Sequence, residues 1–225
     1  MASAERSTPR VTEELVATAQ HPAREMLTMF VGNRAAMVAS IILIAIVLAA
    51  IFGPMLHPVD PFEMVWAPFT PPGQDGFVLG TDYLGRDMLA ALLNGGRVSL
   101  TIGLVAALMS VFIGISFGAL AGFYRGVVEE ILMRITEFFQ VLPTLLFSMV
   151  IVALFGASLE VVTIAIGIVS WTAVARITRA EFLRIRELEY VTASRAAGAS
   201  NITLITRVIL PNALPPIIVQ AALMV

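Results

Sequence analysis

The segment from Glu189 to Asn212 holds polar and charged residues between two strongly apolar stretches of the chain. The small residues in its middle are Ala193, Ser194, Ala196, Ala197, Gly198, Ala199 and Ser200. Small side chains on a polar loop between membrane spans suggest a surface that a groove of another protein approaches closely. Gly198 has no Cβ, so it can adopt a turn conformation that lets two short helices meet at an angle. The chemistry we predict for this segment is protein docking.

Nucleotide, thiol and metal chemistry all lack their usual residues in this chain. The 14 basic residues are all Arg, and there is neither Lys nor Cys. A phosphate-binding P-loop needs a Lys that reaches the β- and γ-phosphates, so the chain cannot supply such a nucleotide site itself. Without Cys it can form neither a disulfide nor a thiolate metal site. His21 and His57 each stand beside a Pro with no second His nearby, so we predict no metal site and no catalytic residue.

The composition is that of a membrane protein. Hydrophobic residues make up 58% of the 225 residues, which is too much for a soluble domain of this length. The net charge of −2 and the absence of a basic surface argue against nucleic-acid binding. Residues 1–34 are mixed polar and precede the first apolar run, so we expect no cleavable signal peptide. The predicted fold class is an all-α, polytopic bundle of membrane helices.

Apolar segments long enough to span a bilayer recur along the chain, since about 20 residues cross the ~30 Å hydrocarbon layer. The predicted spans are 35–56, 98–122, a segment that begins within 131–138 and reaches Gly156 with a kink at Pro143, 158–175, and a fifth that starts at Pro211 and stops in mid-membrane. The predicted domains are a cytoplasmic N-terminal segment 1–34, the first span 35–56, an extracytoplasmic loop 57–97 with an interfacial helix, and a core domain 98–225 with a cytoplasmic loop 176–207.

A loop rich in Pro, acidic and aromatic residues separates the first two predicted spans. A compact polar motif in this loop consists of Gly80, Thr81, Asp82, Gly85, Arg86 and Asp87. Thr81 or Asp82 can cap the helix that follows, and Arg86 has carboxylate partners close by in sequence. The favoured interpretation is structural, a capped interfacial helix with a local ion pair. The alternative is a docking surface or a gate.

Small residues recur every four positions along the second predicted span. They are Ala106, Ser110, Gly114, Gly118 and Gly122. Between helices in lipid there is no hydrophobic driving force, so close backbone packing along such a face is what joins them. The pattern therefore predicts a helix-packing seam, and it does not separate that role from lining a pore.

The distribution of Arg predicts the orientation. Residues 1–34 carry four Arg, 123–134 carry two and 176–207 carry six, against two in 57–97. Positive residues accumulate in cytoplasmic loops. The N-terminus and the 176–207 loop are therefore expected in the cytoplasm.

Two stretches resemble a known family. The residues of the first are Ala193, Ser194, Gly198, Val208, Ile209, Leu210 and Pro211, and their spacing resembles the EAA loop of bacterial ABC-importer permeases. Thr192 stands where that loop usually has Glu, and Ser194 stands where it usually has its second Ala. The motif from Gly80 to Asp87 resembles the GTD-x-x-GRD signature of the dipeptide, oligopeptide and nickel branch of these permeases.

The resemblance implies a type I ABC-importer fold and a set of partners. The ATPase-coupling residues it implies are Tyr190, Thr192, Ala193, Ser194, Arg195, Gly198, Ala199, Leu210 and Pro211. The chain would pair with a homologous permease as a heterodimer in the bacterial inner membrane, and two cytoplasmic ATPases would hold ATP and Mg²⁺. An extracytoplasmic substrate-binding protein, which the 57–97 loop would face, would deliver the cargo. Similar permeases have a sixth helix, so we expect one to be missing from this sequence.

Three functions remain to be weighed. The leading one is a non-catalytic permease subunit of an ATP-driven importer, with di- or oligopeptides as the commonest cargo of this branch and nickel or glutathione as alternatives. A gradient-driven secondary transporter usually carries an ionisable residue in mid-membrane, and the four complete predicted spans have none at their centres. A membrane scaffold that recruits ATPases without transport is the third. ATP-dependent uptake into vesicles separates them.

Overall fold

The computed structural model describes residues 29–224, and the regular elements in that range are helical. They are α1 Arg34–Leu56, α2 Met88–Tyr124, α3 Gly126–Val141, α4 Thr144–Phe155, α5 Leu159–Ile185, α6 Glu189–Ala196, α7 Asn201–Thr203, a π-helix Leu204–Ile209 and α8 Leu210–Ala222. Four helical segments in this range are long and apolar enough to span a membrane, or five if α3 and α4 form one broken span. The predicted all-α polytopic bundle is confirmed. The predictions for His21 and for most of the 1–34 segment lie outside the described residues.

The chain divides into two compact units, Met1–Gly96 and Arg97–Val225. In the first unit, Asn33 caps α1 by accepting hydrogen bonds from two N–H groups of its first turn, at 3.1 and 3.2 Å. The buried residues of α1 are Ala50 and Gly53. A Cβ on Gly53 would lie 2.4 Å from Cδ2 of Leu93, so the glycine permits close packing of α1 on the start of α2. The remaining residues of α1 are exposed or half-buried, as expected of a helix that lipid surrounds.

The helix of the second span begins at Met88, ten residues before the predicted start at Val98. The carboxylate of Asp87 accepts hydrogen bonds from the backbone N–H groups of Leu89 and Ala90, which starts the helix there. The predicted interfacial helix is therefore continuous with the second span.

The third predicted span is broken at Pro143. Helices α3 and α4 meet at an angle of 85°. Leu142 is extended, with φ −68° and ψ 124°, because a residue that precedes proline is disfavoured in the helical region. The predicted kink is thus a complete interruption of the helix.

Helix α5 is the central helix of the second unit. Half of the most apolar part of α5 is buried, and the helix contacts α3, α4 and α8. It ends at Ile185, ten residues beyond the predicted end of the span at Ala175. The helix continues because Phe182 and Ile185 extend its buried face at helical spacing past the point where charged residues begin. Much of the predicted 176–207 loop is therefore helical.

The C-terminal helical segment contains a π-helix immediately before its first proline. The N–H of Leu210 donates to the carbonyl of Ile205, five residues back. Pro211 has no N–H to continue the hydrogen-bond series, and such adjustments of register occur where a helix accommodates proline. The side chain of Asn212 donates to the carbonyl of Val208 at 2.7 Å, which satisfies one of the exposed carbonyls. Pro211 thus lies near the start of α8 but inside a continuous helical segment.

Candidate functional site

The small-residue segment forms a short helix, α6, that ends in a tight turn. The N–H of Gly198 donates to the carbonyl of Arg195 at 3.0 Å, and the N–H of Ala199 donates to the carbonyl of Ser194 at 3.1 Å. These two bonds define a Schellman motif, with Gly198 at φ +88° in the left-handed region. No atom lies within 4 Å of where a Cβ on Gly198 would be. The glycine is therefore needed for its backbone conformation and not for space.

The outer surface of α6 is small and mostly exposed. Thr192, Ala193, Arg195 and Gly198 are all exposed, and Tyr190 is 42% exposed beside them. Ser194 and Ala199 are half-buried. Beyond the turn, Ile202 is 74% exposed, and this apolar residue was missed by the sequence analysis. The surface that another protein can contact is thus a low ridge of small side chains flanked by Tyr190 and Ile202.

The inner side of α6 is anchored in the core of the second unit. Val191 is fully buried and packs in one apolar cluster with residues of α2, α5, the π-helix and α8. The other buried members of that cluster are Ala119, Phe123, Val174, Phe182, Ile185, Leu204, Ile209, Ala213 and Ile217. Leu210 packs against the same cluster, whereas Pro211 is exposed on α8. These two predicted residues therefore belong to the support of α6 more than to its exposed ridge.

Arg186 connects the end of α5 to the end of α2. Its Nη1 donates to the backbone carbonyls of Gly122, at 3.4 Å, and of Phe123. Burial, together with the nearby Arg125, lowers the pKa of Arg186. Carbonyls at a helix C-terminus lack intrahelical partners, and a cation there stabilises them. Local sequence patterns do not indicate this role of Arg186, since its acceptors lie more than sixty positions away in the chain.

Two further side chains strengthen the same junction. Arg125 Nη2 lies 3.1 Å from Glu187 Oε1, and the guanidinium of Arg195 on α6 lies 5.9 Å from the ring centroid of Phe123. The ends of α2 and α5 are therefore joined to α6 by charge as well as by apolar packing.

The predicted small-residue face lies against α5. A Cβ on Gly114, Gly118 or Gly122 would approach a backbone carbonyl of α5 to 2.8, 2.4 and 2.8 Å, respectively. Ser110 is buried and its Oγ donates to the carbonyl of Gly167 at 3.1 Å, and Ala106 is buried as well. This face is in backbone contact with a neighbouring helix of the same chain.

The two glycines of the polar loop motif hold its backbone together. Gly80 and Gly85 both have φ +76°, and a Cβ on them would lie 2.2 Å from the carbonyl oxygen of Thr70 and 2.0 Å from that of Trp66. Thr81 is buried, and its Oγ1 donates to the carbonyl of Ala67 at 2.7 Å. These positions therefore tolerate no larger side chain.

The carboxylates of the motif have different roles from those predicted. Asp87, not Thr81 or Asp82, caps α2, because Asp82 Oδ1 already accepts hydrogen bonds from the N–H groups of Leu84 and Arg86 at 2.8 and 2.9 Å. Asp87 Oδ2 also lies 2.7 Å from His57 Nε2.

The ionisation of Asp87 reflects these contacts. Burial would raise the pKa of Asp87, but the hydrogen bonds from His57, Ala90 and Leu89 outweigh it and hold this pKa below its ordinary value. Local sequence patterns do not indicate the contact of His57 with Asp87, because the two residues are 30 positions apart.

The predicted ion pair of Arg86 is wrong. Within residues 29–224 no carboxylate lies at ion-pair distance from Arg86, and its buried Nε has no hydrogen-bond partner there. Its guanidinium instead lies 5.9 Å from the ring centroid of Phe62. The large exposed residues of the loop include Phe62, Met64, Trp66, Phe69, Val78 and Tyr83. The polar motif is thus mostly internal, and the loop presents aromatic and apolar groups outward.

Among residues 29–224, no three His, Asp or Glu side chains come together in a way that can hold a metal ion. The described residues thus define a polytopic helical membrane protein whose short helix α6 is exposed on one side and packed into an apolar cluster on the other.

Comparison with known proteins defines the family. Residues 114–225 match the family described as binding-protein-dependent transport system inner membrane component, and residues 21–72 match the N-terminal TM domain of oligopeptide transport permease C. The chain belongs to the family of C-type permease subunits of binding-protein-dependent ABC transporters, which are non-catalytic transmembrane components.

Individual relatives cover most of the chain. It is 42% identical over 209 residues to the di/tripeptide transport system permease protein DppC of Pseudomonas aeruginosa. The alignment covers 90% of this chain and 69% of that relative. It is 37% identical to the dipeptide transport system permease protein DppC of Haemophilus influenzae (88% and 70%). It is 36% identical to the oligopeptide transport system permease protein OppC of Escherichia coli K12 (87% and 66%). The predicted family is confirmed.

Proposed function

We propose that this permease moves di- or oligopeptides into the cell as part of an ATP-driven importer. The names of its relatives, which refer to dipeptide, di/tripeptide and oligopeptide transport, support this cargo. Nickel and glutathione are the alternatives to be tested. The low ridge of α6, supported from beneath by Val191 and the apolar cluster, is the observation that carries the ATP-driven mechanism.

The exposed ridge of α6 is the contact for an ATPase subunit. Tyr190, Thr192, Ala193 and Arg195, together with the turn at Gly198, form the part that enters the ATPase groove. When two ATPases holding ATP and Mg²⁺ close on each other, α6 moves with the helices to which Val191 and Arg186 fasten it. The ATPases must bind the two states of the permease with different affinity, because otherwise ATP shifts no equilibrium.

The family and the Arg distribution support our proposal for the remaining partners and the orientation. A second, homologous permease completes the path, and an extracytoplasmic binding protein delivers the peptide. Segment 1–34 and the coupling region lie in the cytoplasm, the loop 57–97 lies outside the bacterial inner membrane, and 98–225 forms the core domain. The exposed aromatic groups of the loop, such as Trp66 and Tyr83, suit the membrane–water interface.

The test is ATP-dependent uptake by the complete complex in proteoliposomes. The complex, its binding protein and a labelled dipeptide are combined with ATP inside the vesicles on the ATPase side, and vesicles that lack this subunit are the control. Uptake that needs ATP and is inhibited by unlabelled peptide, but not by Ni²⁺ or glutathione, supports the proposal. Uptake driven by a proton gradient without ATP would contradict it, as would ATPase binding without any transport.

A further inference from the structure

An open cavity with both charged and apolar lining residues lies between α3 and α5 in the second unit, and Glu137, Gln140 and Arg176 in its lining are exposed. Two adjoining parts of about 300 and 470 Å³ share Gln140, Arg176 and Arg179 in their lining. Thr136 and Glu137 of α3 line one part, and Thr172 and Ala173 of α5 line the other.

The two arginines in the cavity are held differently. Arg179 forms an ion pair with Glu129 of α3, with Nε 2.6 Å from Oε1. Arg176 donates from Nη1 to the neutral Oε1 of Gln140 at 3.1 Å. Across residues 29–224, no carboxylate lies within ion-pair distance of Arg176. Arg176 therefore retains its positive charge and several N–H donors for a ligand, while Gln140 fixes its orientation.

The position of Arg176 along its helix places this charge near one end of the hydrocarbon layer. It is the eighteenth residue of α5, counted from Leu159, and about 20 residues cross the hydrocarbon layer. Ionisable residues within spans face a bundle interior or a water-filled cavity, and they mark substrate pathways. The break between α3 and α4 at Leu142 and Pro143 points the same way, because non-helical backbone at membrane depth is tolerated where it is buried or lines such a cavity.

We propose that Arg176, oriented by Gln140, binds the C-terminal carboxylate of the peptide cargo as it passes through the permease. A guanidinium offers paired N–H donors that match a carboxylate. Glu137 lines the same cavity with the opposite charge, and although its Oε2 lies 3.3 Å from Nη1 of Arg134, its Oε1 suits the ammonium end of a zwitterion. The volume is in the range of small-ligand pockets, roughly 300–1,000 Å³. This inference rests on the proposed peptide cargo, and it assigns part of the translocation path to α3 and α5.

The first experiment measures transport by the complete complex in proteoliposomes with saturating binding protein. Loss of a hydrogen bond to a charged group weakens binding about tenfold or more. Arg176→Gln should therefore lower the peptide uptake per ATP hydrolysed by that factor. Arg176→Lys should restore part of the loss. Arg184→Gln is the matched control, since Arg184 lies on the same helix and is exposed in a pair with Glu181. Wild-type uptake by Arg176→Gln would overturn the proposal.

The second experiment reports on the carboxylate directly. The chain has no Cys, so Ala173→Cys places a single thiol of this subunit at the cavity. Modification by a small neutral methanethiosulfonate is followed by the mass of this subunit, and Leu145→Cys, on the exposed face of α4, is the control. Alanylalanine should slow modification of Ala173→Cys several-fold, whereas its C-terminal amide should not. In the Arg176→Gln background neither peptide should protect.

The outcomes separate this inference from its alternatives. Equal protection by the acid and the amide would overturn it, and so would a thiol at position 173 that the reagent cannot reach. The thiol modification is also measured in proteoliposomes with and without phosphatidylglycerol. If protection depends on this lipid and not on peptide, a lipid headgroup is the anion that Arg176 binds, and the cargo proposal for Arg176 fails. If the wild-type complex takes up no peptide at all, it is the proposed function that fails.

Discussion

Nε2 of His57, directly after the last residue of α1, lies 2.7 Å from Oδ2 of Asp87, which caps α2. The other oxygen of Asp87 accepts hydrogen bonds from the first turn of α2. One carboxylate therefore both starts the second membrane helix and ties it to the end of the first. The loop between the two helices is closed at its base by this contact.

We expect Asp87→Ala to lower the melting temperature of the detergent-solubilised complex more than His57→Ala does. The Asp87 change removes the cap and the histidine contact together, whereas the His57 change removes only the latter. Loss of a helix cap costs about 0.5–2 kcal/mol. Asp82→Ala is not a suitable control because Asp82 orders the loop, so Glu63→Ala, at an exposed carboxylate of the same loop, serves instead. Equal melting temperatures for Asp87→Ala and His57→Ala would contradict the double role.

The effect of Asp87 should depend on pH with a definite sign. The pKa of Asp87 is held below its ordinary value of 3.8, so the stabilisation is fully present above pH 3.8 and is lost as the pH falls through the lower folded pKa. The difference in melting temperature between the wild type and Asp87→Asn should therefore be constant from neutral pH down to about 3.8 and shrink below it. A difference that already shrinks near neutral pH would indicate that another group controls it.

The cap illustrates what local sequence rules can and cannot decide. Asp82, Thr81 and Asp87 are all good capping residues within seven positions, and local preference does not choose among them. The choice is made by the close backbone approaches at Gly80 and Gly85, which engage Asp82 and Thr81 within the loop. Those approaches involve residues earlier in the loop, and no local pattern indicates them.

The second-unit features divide in the same way. The turn at Gly198 and the small-residue face of α2 depend on spacing within one segment, so the sequence predicts both. The contact of Arg186 with Phe123 and that of Arg176 with Gln140 join residues 63 and 36 positions apart. The fall in hydropathy after Ala175 predicts the end of a span, whereas burial of Phe182 and Ile185 continues the helix. Tertiary packing thus decides which charged residues lie along the span.

We expect Gly118→Ala to destabilise the permease, whereas Gly95→Ala should not. A Cβ on Gly118 would lie 2.4 Å from the carbonyl oxygen of Ala175, so α2 and α5 would have to separate. Overpacking of this kind costs about 1–3 kcal/mol. Gly95 is also within α2, but no atom lies within 4 Å of where its Cβ would be. Alanine at this position gains helix propensity. The melting temperatures of the two variants are measured side by side. Equal melting temperatures would contradict the helix-packing seam.

Arg186→Gln should weaken the link between α6 and the ends of α2 and α5. The change leaves the carbonyls of Gly122 and Phe123 without their cationic donor, at a cost of about 1–3 kcal/mol. We expect peptide transport to fall more than ATP hydrolysis does, because the ATPases still bind α6 but move it less rigidly. Arg184→Gln, outside this junction, should keep the wild-type ratio of transport to hydrolysis. A proportional loss of both activities would point to a folding defect instead.

Gly198 gives the sharpest test of the coupling ridge, because its φ of +88° and the open space around it separate conformation from volume. A non-glycine residue in the left-handed region costs roughly 1–2 kcal/mol, and Asn tolerates that region better than most. Gly198→Leu should therefore uncouple ATP hydrolysis from transport while capture of peptide by the binding protein survives, and Gly198→Asn should stay close to wild type. The measurement is the number of peptides transported per ATP hydrolysed in proteoliposomes. If the Leu variant transports as well as the wild type, the turn does not set the position of α6 against the ATPase. If the Asn variant loses as much coupling as the Leu variant, the ATPase contact excludes side-chain volume, and backbone strain is not the cause.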